Sequence, residues 1–263
     1  MTTQTVASAP AKGAVARQVA SITALGAVLT INALANVLPL NGVTTGEVSD
    51  SFPSLFTPAG YVFSIWGAIY ALLSVFAIYQ ALPSQKHNPN LERLGAWFVL
   101  SSVFNVAWLF SWHYGVIWLS QLFMIGLLLS LIVCYTRLGI GRTNVSWAET
   151  LSARLPFSVY LGWITVATVA NTSIFLLDLG VTGGWLTPLW TVVAIASALG
   201  VGYLMLRNRG DVAYALVLVW AFVGIAAQQW GATLSVVIAA LLAAGCVLVL
   251  IVQRPLKRRR IAA

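Results

Sequence analysis

The chain has 263 residues, of which 60% are apolar and 8% charged, with a formal net charge of +8, a pI near 9.9 and a mean hydropathy of +0.90. An ordinary soluble domain is roughly 25% charged, so this composition excludes a soluble globular enzyme, and it excludes a disordered or nucleic-acid-binding chain despite the basic pI. At about 20 apolar residues per crossing, the length accommodates about eight to ten membrane spans and no sizeable soluble domain.

In chain order, residues 1–17 are expected as a disordered cytoplasmic tail, because Met1 to Gly13 is rich in Thr, Ala, Ser and Pro. The first apolar stretch runs over 18–38 and carries Asn32 and Asn36 on one face, at i and i+4. Its Ala33-Leu34-Ala35 triplet resembles a signal-peptidase site; the length of the apolar run and the polar Asn32 favour a retained helix. A long loop over 39–59 follows, with Asn41-Gly42, Pro53 and Pro58, and reads either as a lid or as a connector. Further apolar stretches run over 60–82, 94–112, 115–137, 156–177, 185–206, 212–229 and 232–252. None contains an acid or a base except at its ends. In lipid every backbone N–H and C=O must be paired within its segment, so runs of this length must be helices. The period-2 alternation of a membrane barrel is absent: residues 241–252 are apolar all round. Cys134 and Cys246 lie in apolar runs and read as small buried hydrophobes rather than as a disulfide or metal pair.

The charges predict the orientation. All fourteen basic residues, from Lys12 and Arg17 through Lys86, Arg93, Arg137, Arg142, Arg154, Arg207 and Arg209 to the cluster at 254–260, fall on one side of eight spans. The other side carries only Glu47, Asp50 and Asp178. This positive-inside pattern puts both termini in the cytoplasm, and a bacterial-type plasma membrane is expected.

With no charge inside a span, the groups usual for ion coupling or acid–base catalysis are missing. His113, at the outer end of the third span, is expected as a polar interfacial residue, with a haem-ligand reading beside it. Asn32, Asn36, Asn105 and Asn171 are expected to face the bundle interior, as helix–helix hydrogen bonds or as pocket-lining groups. The eleven tryptophans divide in two. Trp112, Trp118, Trp185, Trp190 and Trp230, with Trp97 and Trp147 at the other side, suit an interfacial belt. Trp66, Trp108, Trp163 and Trp220 lie deeper and are expected to face inward, because an indole N–H in hydrocarbon needs a partner. At ~1.5 Å per residue, Trp66 and Trp163 enter from opposite faces to about the same depth. Small residues at four-residue spacing (Ala194, Ala198, Gly202; Ala239, Ala243; Ala240, Ala244) permit close helix approach within the chain or between two copies.

Three stretches resemble the TspO/MBR family, the tryptophan-rich sensory proteins related to the translocator protein. Phe56-Thr57-Pro58-Ala59-Gly60-Tyr61-Val62-Phe63-Ser64-Ile65-Trp66-Gly67-Ala68-Ile69-Tyr70 resembles the TPPxxxFxxxWxxLY at the start of that family's second helix. Asn105-Val106-Ala107-Trp108-Leu109-Phe110 is similar to the NxxWxxxFF of its third, and Tyr160-Leu161-Gly162-Trp163 through Ala170-Asn171 to the PYxxWxxfAxxLN of its fifth. The motifs occur in the family's order and cover about 18–177. The first-loop WYxxLxKP is missing, the Thr57-to-Trp66 spacing is one residue short, and Pro156 stands four residues before Tyr160.

The resemblance implies an all-α polytopic fold: a five-helix bundle over 18–178, three added transmembrane helices over 179–253, and a basic cytoplasmic tail over 254–263. It also implies a membrane receptor or sensor that binds a flat apolar ligand, a tetrapyrrole such as protoporphyrin or haem, or a lipid or sterol. The implied site comprises Trp66, Trp108, Trp163, Tyr160, Asn105, Asn171, Phe63 and Tyr70, beneath a lid formed by 39–59. No metal site or catalytic residue is expected, and porphyrin or haem enters only as a ligand. Porphyrin degradation, proposed within the family, is the one enzymatic activity left open. The expected partners are the bilayer, the apolar ligand and a second copy of the chain, with no nucleic acid. Two other functions compete: a carrier or exporter of a neutral or amphipathic molecule, and a packing subunit of a membrane complex.

Overall fold

The computed structural model describes residues 11–38, 40–181 and 184–253, and all elements among them are helices and turns. Eight long helices correspond to the eight apolar stretches: α1 (Ala11–Val37), α2 (Ile65–Ala81), α3 (Trp97–His113), α4 (Ile117–Arg137), α5 (Leu155–Asp178), α6 (Thr187–Arg209), α7 (Val212–Gln228) and α8 (Leu234–Val252). Six of the helical segments are long and apolar enough to cross a membrane. The other two, α3 and α7, have 17 residues each, the lower limit for a span. This is an all-α, multi-pass membrane protein.

Local chemistry sets the ends. A 3-10 turn over Gly60–Ser64 leads into α2, and Leu82, held extended before Pro83 (ψ 140°), closes it. A π-helical turn at Thr150–Arg154 precedes α5 and accommodates Pro156 in its first turn. α1 begins at Ala11, earlier than position 18, so residues 11–17, expected in the tail, extend the first helix instead. Residues 1–10 and the basic tail over 254–263 lie outside the described residues.

The first five helices close into a ring. α1 packs on α2 and α3, α3 on α4, α4 on α5, and α5 back on α2. A second layer, α6–α8, lies against the outside of α5: α7 makes the main contact, α6 a lesser one, and α8 packs on α6 and α7. The small residues of this layer are used within the chain, where Ala198, Gly202, Ala240, Ala243 and Ala244 are all buried.

The N-terminal end of α7 is anchored by Asp211. Its Oδ1 accepts the Tyr214 N–H (3.0 Å) as an N-cap, while Oδ2 accepts from Tyr135 of α4 (2.9 Å) and Ser158 of α5 (2.6 Å). The loops that carry the basic residues meet at this end. Arg17 donates to Gln85 O and Lys86 O, Arg137 to Arg93 O, and Arg209 to Ile140 O.

The ring interior is layered. Nearest the basic end, Phe76, Phe98 and Phe157 meet edge to face at 5.1–5.8 Å. Next comes a polar layer: Asn32 donates to Asn105 Oδ1 (2.9 Å), and Asn105 donates to the Tyr160 hydroxyl (3.1 Å). The tryptophans lie above it.

Candidate functional site

Trp66 is the centre of the aromatic layer. Its ring stacks on Tyr70 (5.5 Å between centroids) and on Trp108 (6.1 Å), and meets Tyr160 and Trp163 edge-on at 6.1 and 6.2 Å. Trp108 stacks in turn on Trp112 (6.0 Å), and Phe63 packs edge-on against Trp163 (5.9 Å). Helical spacing explains the ladder: Trp66 and Tyr70 are i, i+4 on α2, and Trp108 and Trp112 are i, i+4 on α3.

Two chambers flank Trp66. The larger, about 460 Å³, lies between α1 and α2 and is walled by Asn32, Ala33, Phe63, Trp66, Tyr70 and Trp108, with Thr45 and Gly46 above. The smaller, about 40 Å³, lies inside the ring between Trp66, Trp108, Trp112, Trp163, Met124 and Asn171. Of the eight residues expected at the site, Phe63, Trp66, Tyr70, Trp108, Trp163 and Asn171 line one or both chambers. Asn105 and Tyr160 line neither; they bond to each other beneath the chambers.

The hydrogen bonds divide the indoles. Trp108 Nε1 donates to Asn171 Oδ1 (3.1 Å), which also accepts from Ser120 (3.2 Å), while Asn171 Nδ2 donates to Gln121 (2.8 Å). Trp112 Nε1 donates to Thr45 O (3.2 Å). Trp163, only 2% exposed, has no acceptor for its Nε1–H. A buried donor left without a partner costs about 1–3 kcal/mol.

The loop over 40–59 lies over this site. It contains a short helix, Thr45–Asp50, with a capping box. The Thr44 N–H donates to Glu47 (2.6 Å) and the Glu47 N–H to the Thr44 hydroxyl (3.3 Å). The Thr44 N–H, and after it the Thr44 hydroxyl, holds the Glu47 carboxyl below its ordinary range. The cap is therefore complete above the ordinary carboxylate pKa and is lost as pH falls through the depressed one.

Two sequence expectations change here. Trp112, expected in the interfacial belt, is 4% exposed and bonds the lid. His113, expected as a simple interfacial residue, is buried: Nε2 meets Thr45 Oγ1 at 3.1 Å, Nδ1 meets Leu40 O at 3.2 Å, and its carbonyl accepts from Asn41 (3.0 Å). Both residues turn inward because the lid folds over the end of α3 and shields it from the membrane surface. Trp220 departs in the other direction: it is 37% exposed on the outside of α7, with its indole N–H satisfied by Val62 O. Cys246 is exposed as well. The tryptophans expected in the belt at positions 118, 147, 190 and 230 do stand exposed.

His113→Phe keeps the ring and removes both side-chain bonds to the lid. Amide exchange at Val48 and Ser51, whose N–H groups bond within the lid helix, is expected to quicken about tenfold. Unchanged exchange would assign the lid's hold to other contacts.

No cluster of three or more His, Cys, Asp or Glu occurs among the described residues. A family model described as TSPO-like protein matches residues 18–253. The match runs past residue 177, where the three motifs end, and includes the second helical layer. No curated protein and no solved structure matches the chain.

Proposed function

This chain belongs to the TSPO-like protein family, and on that premise we propose that it is a membrane receptor or sensor for a flat apolar ligand, with both termini on the cytoplasmic side. The ligand class is a tetrapyrrole such as protoporphyrin or haem, or a lipid or sterol. The larger chamber, at about 460 Å³, falls within the ~300–1,000 Å³ typical of small-molecule sites. Its aromatic wall, Trp66 stacked on Trp108 at 27°, offers a flat surface to a flat ring. Dispersion and stacking supply affinity there, and few polar groups are needed to orient the ligand.

The observation that carries this reading is the larger chamber itself, open between α1 and α2 and walled by the stacked Trp66–Trp108 pair. The opening between α1 and α2, where Ala33, Val37 and Gly67 are exposed, is a route for a ligand dissolved in the bilayer.

Equilibrium titration with protoporphyrin IX in detergent, followed by tryptophan quenching, tests the proposal. Saturable quenching is expected for the native chain. The Trp66→Phe/Trp163→Phe double variant keeps two aromatic rings but loses the indole faces and the orphaned donor, and is expected to bind about tenfold more weakly. Quenching identical to the native chain in that variant would remove the pocket assignment.

A further inference from the structure

The second helical layer touches the cavity walls without lining the cavity. α7 holds the turn that leads into α2 by two hydrogen bonds to that segment's backbone, one from its own backbone and one from a side chain. The Ala59 N–H donates to Gly224 O (3.1 Å), and Trp220 Nε1 donates to Val62 O (3.1 Å). Tyr61 meets Trp220 edge-on at 5.5 Å. Gly224 is the point of closest approach: a Cβ there would overlap Val62 Cγ2 and stand 3.2 Å from Pro58 Cβ. Residues 60–64 form a 3-10 turn, whose own hydrogen bonds are poorly aligned. Its placement therefore depends on outside partners, and α7 supplies two of them. Within the same segment Pro58 and Phe63 line the inner chamber, and Trp66 follows one turn later to wall both chambers.

The same helix braces the opposite wall. Gly162 of α5 lets Tyr214 and Val217 approach, since a Cβ there would lie 3.1 Å from Tyr214 O and from Val217 Cβ. The Tyr214 hydroxyl donates to Thr165 (2.8 Å). Trp163 stands between these two contacts on α5. Asp211 fastens the foot of α7 to α4 and α5, so α7 is itself fixed while it fixes the turn.

We propose that α7 is a positioning strut for the ligand cavity. Gly224 and Trp220 set the place of the Pro58–Phe63 turn, and through it the stance of Phe63 and Trp66, so the second layer controls ligand affinity without touching the ligand. This rests on the ligand reading above, and its test also has a readout independent of any ligand. Gly224→Val forces Val62 and Pro58 away from α7. Protoporphyrin IX affinity is expected to fall about fivefold, the size of coupling typical between packed networks. The near-ultraviolet circular dichroism of the stacked Trp66–Trp108 pair is expected to weaken, while far-ultraviolet signal and elution volume stay native. Trp220→Phe keeps a ring against Tyr61 but loses the bond to Val62 O, and because it removes one indole chromophore its readout is affinity, expected to fall by less than in Gly224→Val. Gly245→Val on α8, where a Cβ meets nothing within 4 Å, is the control and is expected to match the native chain.

Native affinity together with a native near-ultraviolet spectrum in Gly224→Val overturns the proposal. Should Gly224→Val fail to fold, Trp220→Phe decides by affinity, and native affinity overturns the proposal. Should the native chain not bind protoporphyrin IX, that ligand fails; the spectrum then decides alone, an altered one supporting the strut and an unaltered one overturning it.

Discussion

Asn171→Leu is expected to destabilise the bundle by about 2–3 kcal/mol, measured as reversible unfolding in detergent or bilayer against the native chain. Interhelical hydrogen bonds in membrane proteins average only about 0.6 kcal/mol each, so a single lost bond would not reach that figure. Asn171 is different because three bonds leave together. Its Oδ1 accepts from Trp108 of α3 and Ser120 of α4, and its Nδ2 donates to Gln121 of α4. The side chain is 2% exposed, and leucine conserves the approximate volume, so the cost is not that of a cavity. What remains is a buried Trp108 N–H with no acceptor and a Gln121 carbonyl oxygen with no donor. Ser120→Ala isolates the weakest arm. Ser120 also donates to Ile117 O of its own helix (3.0 Å), and its replacement is expected to cost well under ~1 kcal/mol. A cost for Asn171→Leu no larger than for Ser120→Ala would mean that the network contributes little.

Trp66→Ala is expected to weaken protoporphyrin IX binding by about 10–100-fold, the worth of one aromatic stacking platform at ~1–3 kcal/mol per base-sized ring. Trp66 is half-buried and walls both chambers. Removing it deletes the flat surface and also merges the chambers, so the ligand loses both its stacking partner and its fixed depth. The backbone of α2 is unaffected and the neighbouring rings remain in place, so elution volume and far-ultraviolet signal are expected to stay native. Trp147→Phe, at a tryptophan that is 73% exposed, serves as the control for quenching by nonspecific partition of porphyrin into detergent. Equal loss in the two variants would locate the quenching at the protein surface.

The fold class was legible because its signals are local. Uninterrupted apolar runs of about 20 residues become helices in lipid wherever they occur. Among the described residues, loops that carry basic residues meet at one end, as the bonds of Arg17, Arg137 and Arg209 show. The motif tryptophans were legible too, since a rise of ~1.5 Å per residue from opposite faces brings Trp66 and Trp163 to about the same depth, where their rings meet. Asn105 and Tyr160 were legible as inward-facing, but their position beneath the chambers was not. That position depends on Asn32 of α1 completing the polar layer.

Other features left no sequence signal. Trp112 and His113 read as membrane-interface residues because nothing local says that Thr45–Asp50 folds over them. The contact of Trp220 with Val62 spans 158 positions of sequence. No composition or periodicity in either segment points to the other.

By itself, then, the sequence determined that this protein is a bundle of membrane helices, which stretch of chain forms each of them, and which aromatic residues share a level. Hydropathy and spacing act within one segment, so one segment suffices to read them. Only the tertiary structure decided which face of each helix turns inward, which indole lacks an acceptor, and that the second layer props the site of the first. These helices are apolar on every side, toward lipid and toward protein alike. Their rotation is therefore set by packing and by the pairing of a few buried polar groups, and neither exists until the helices meet.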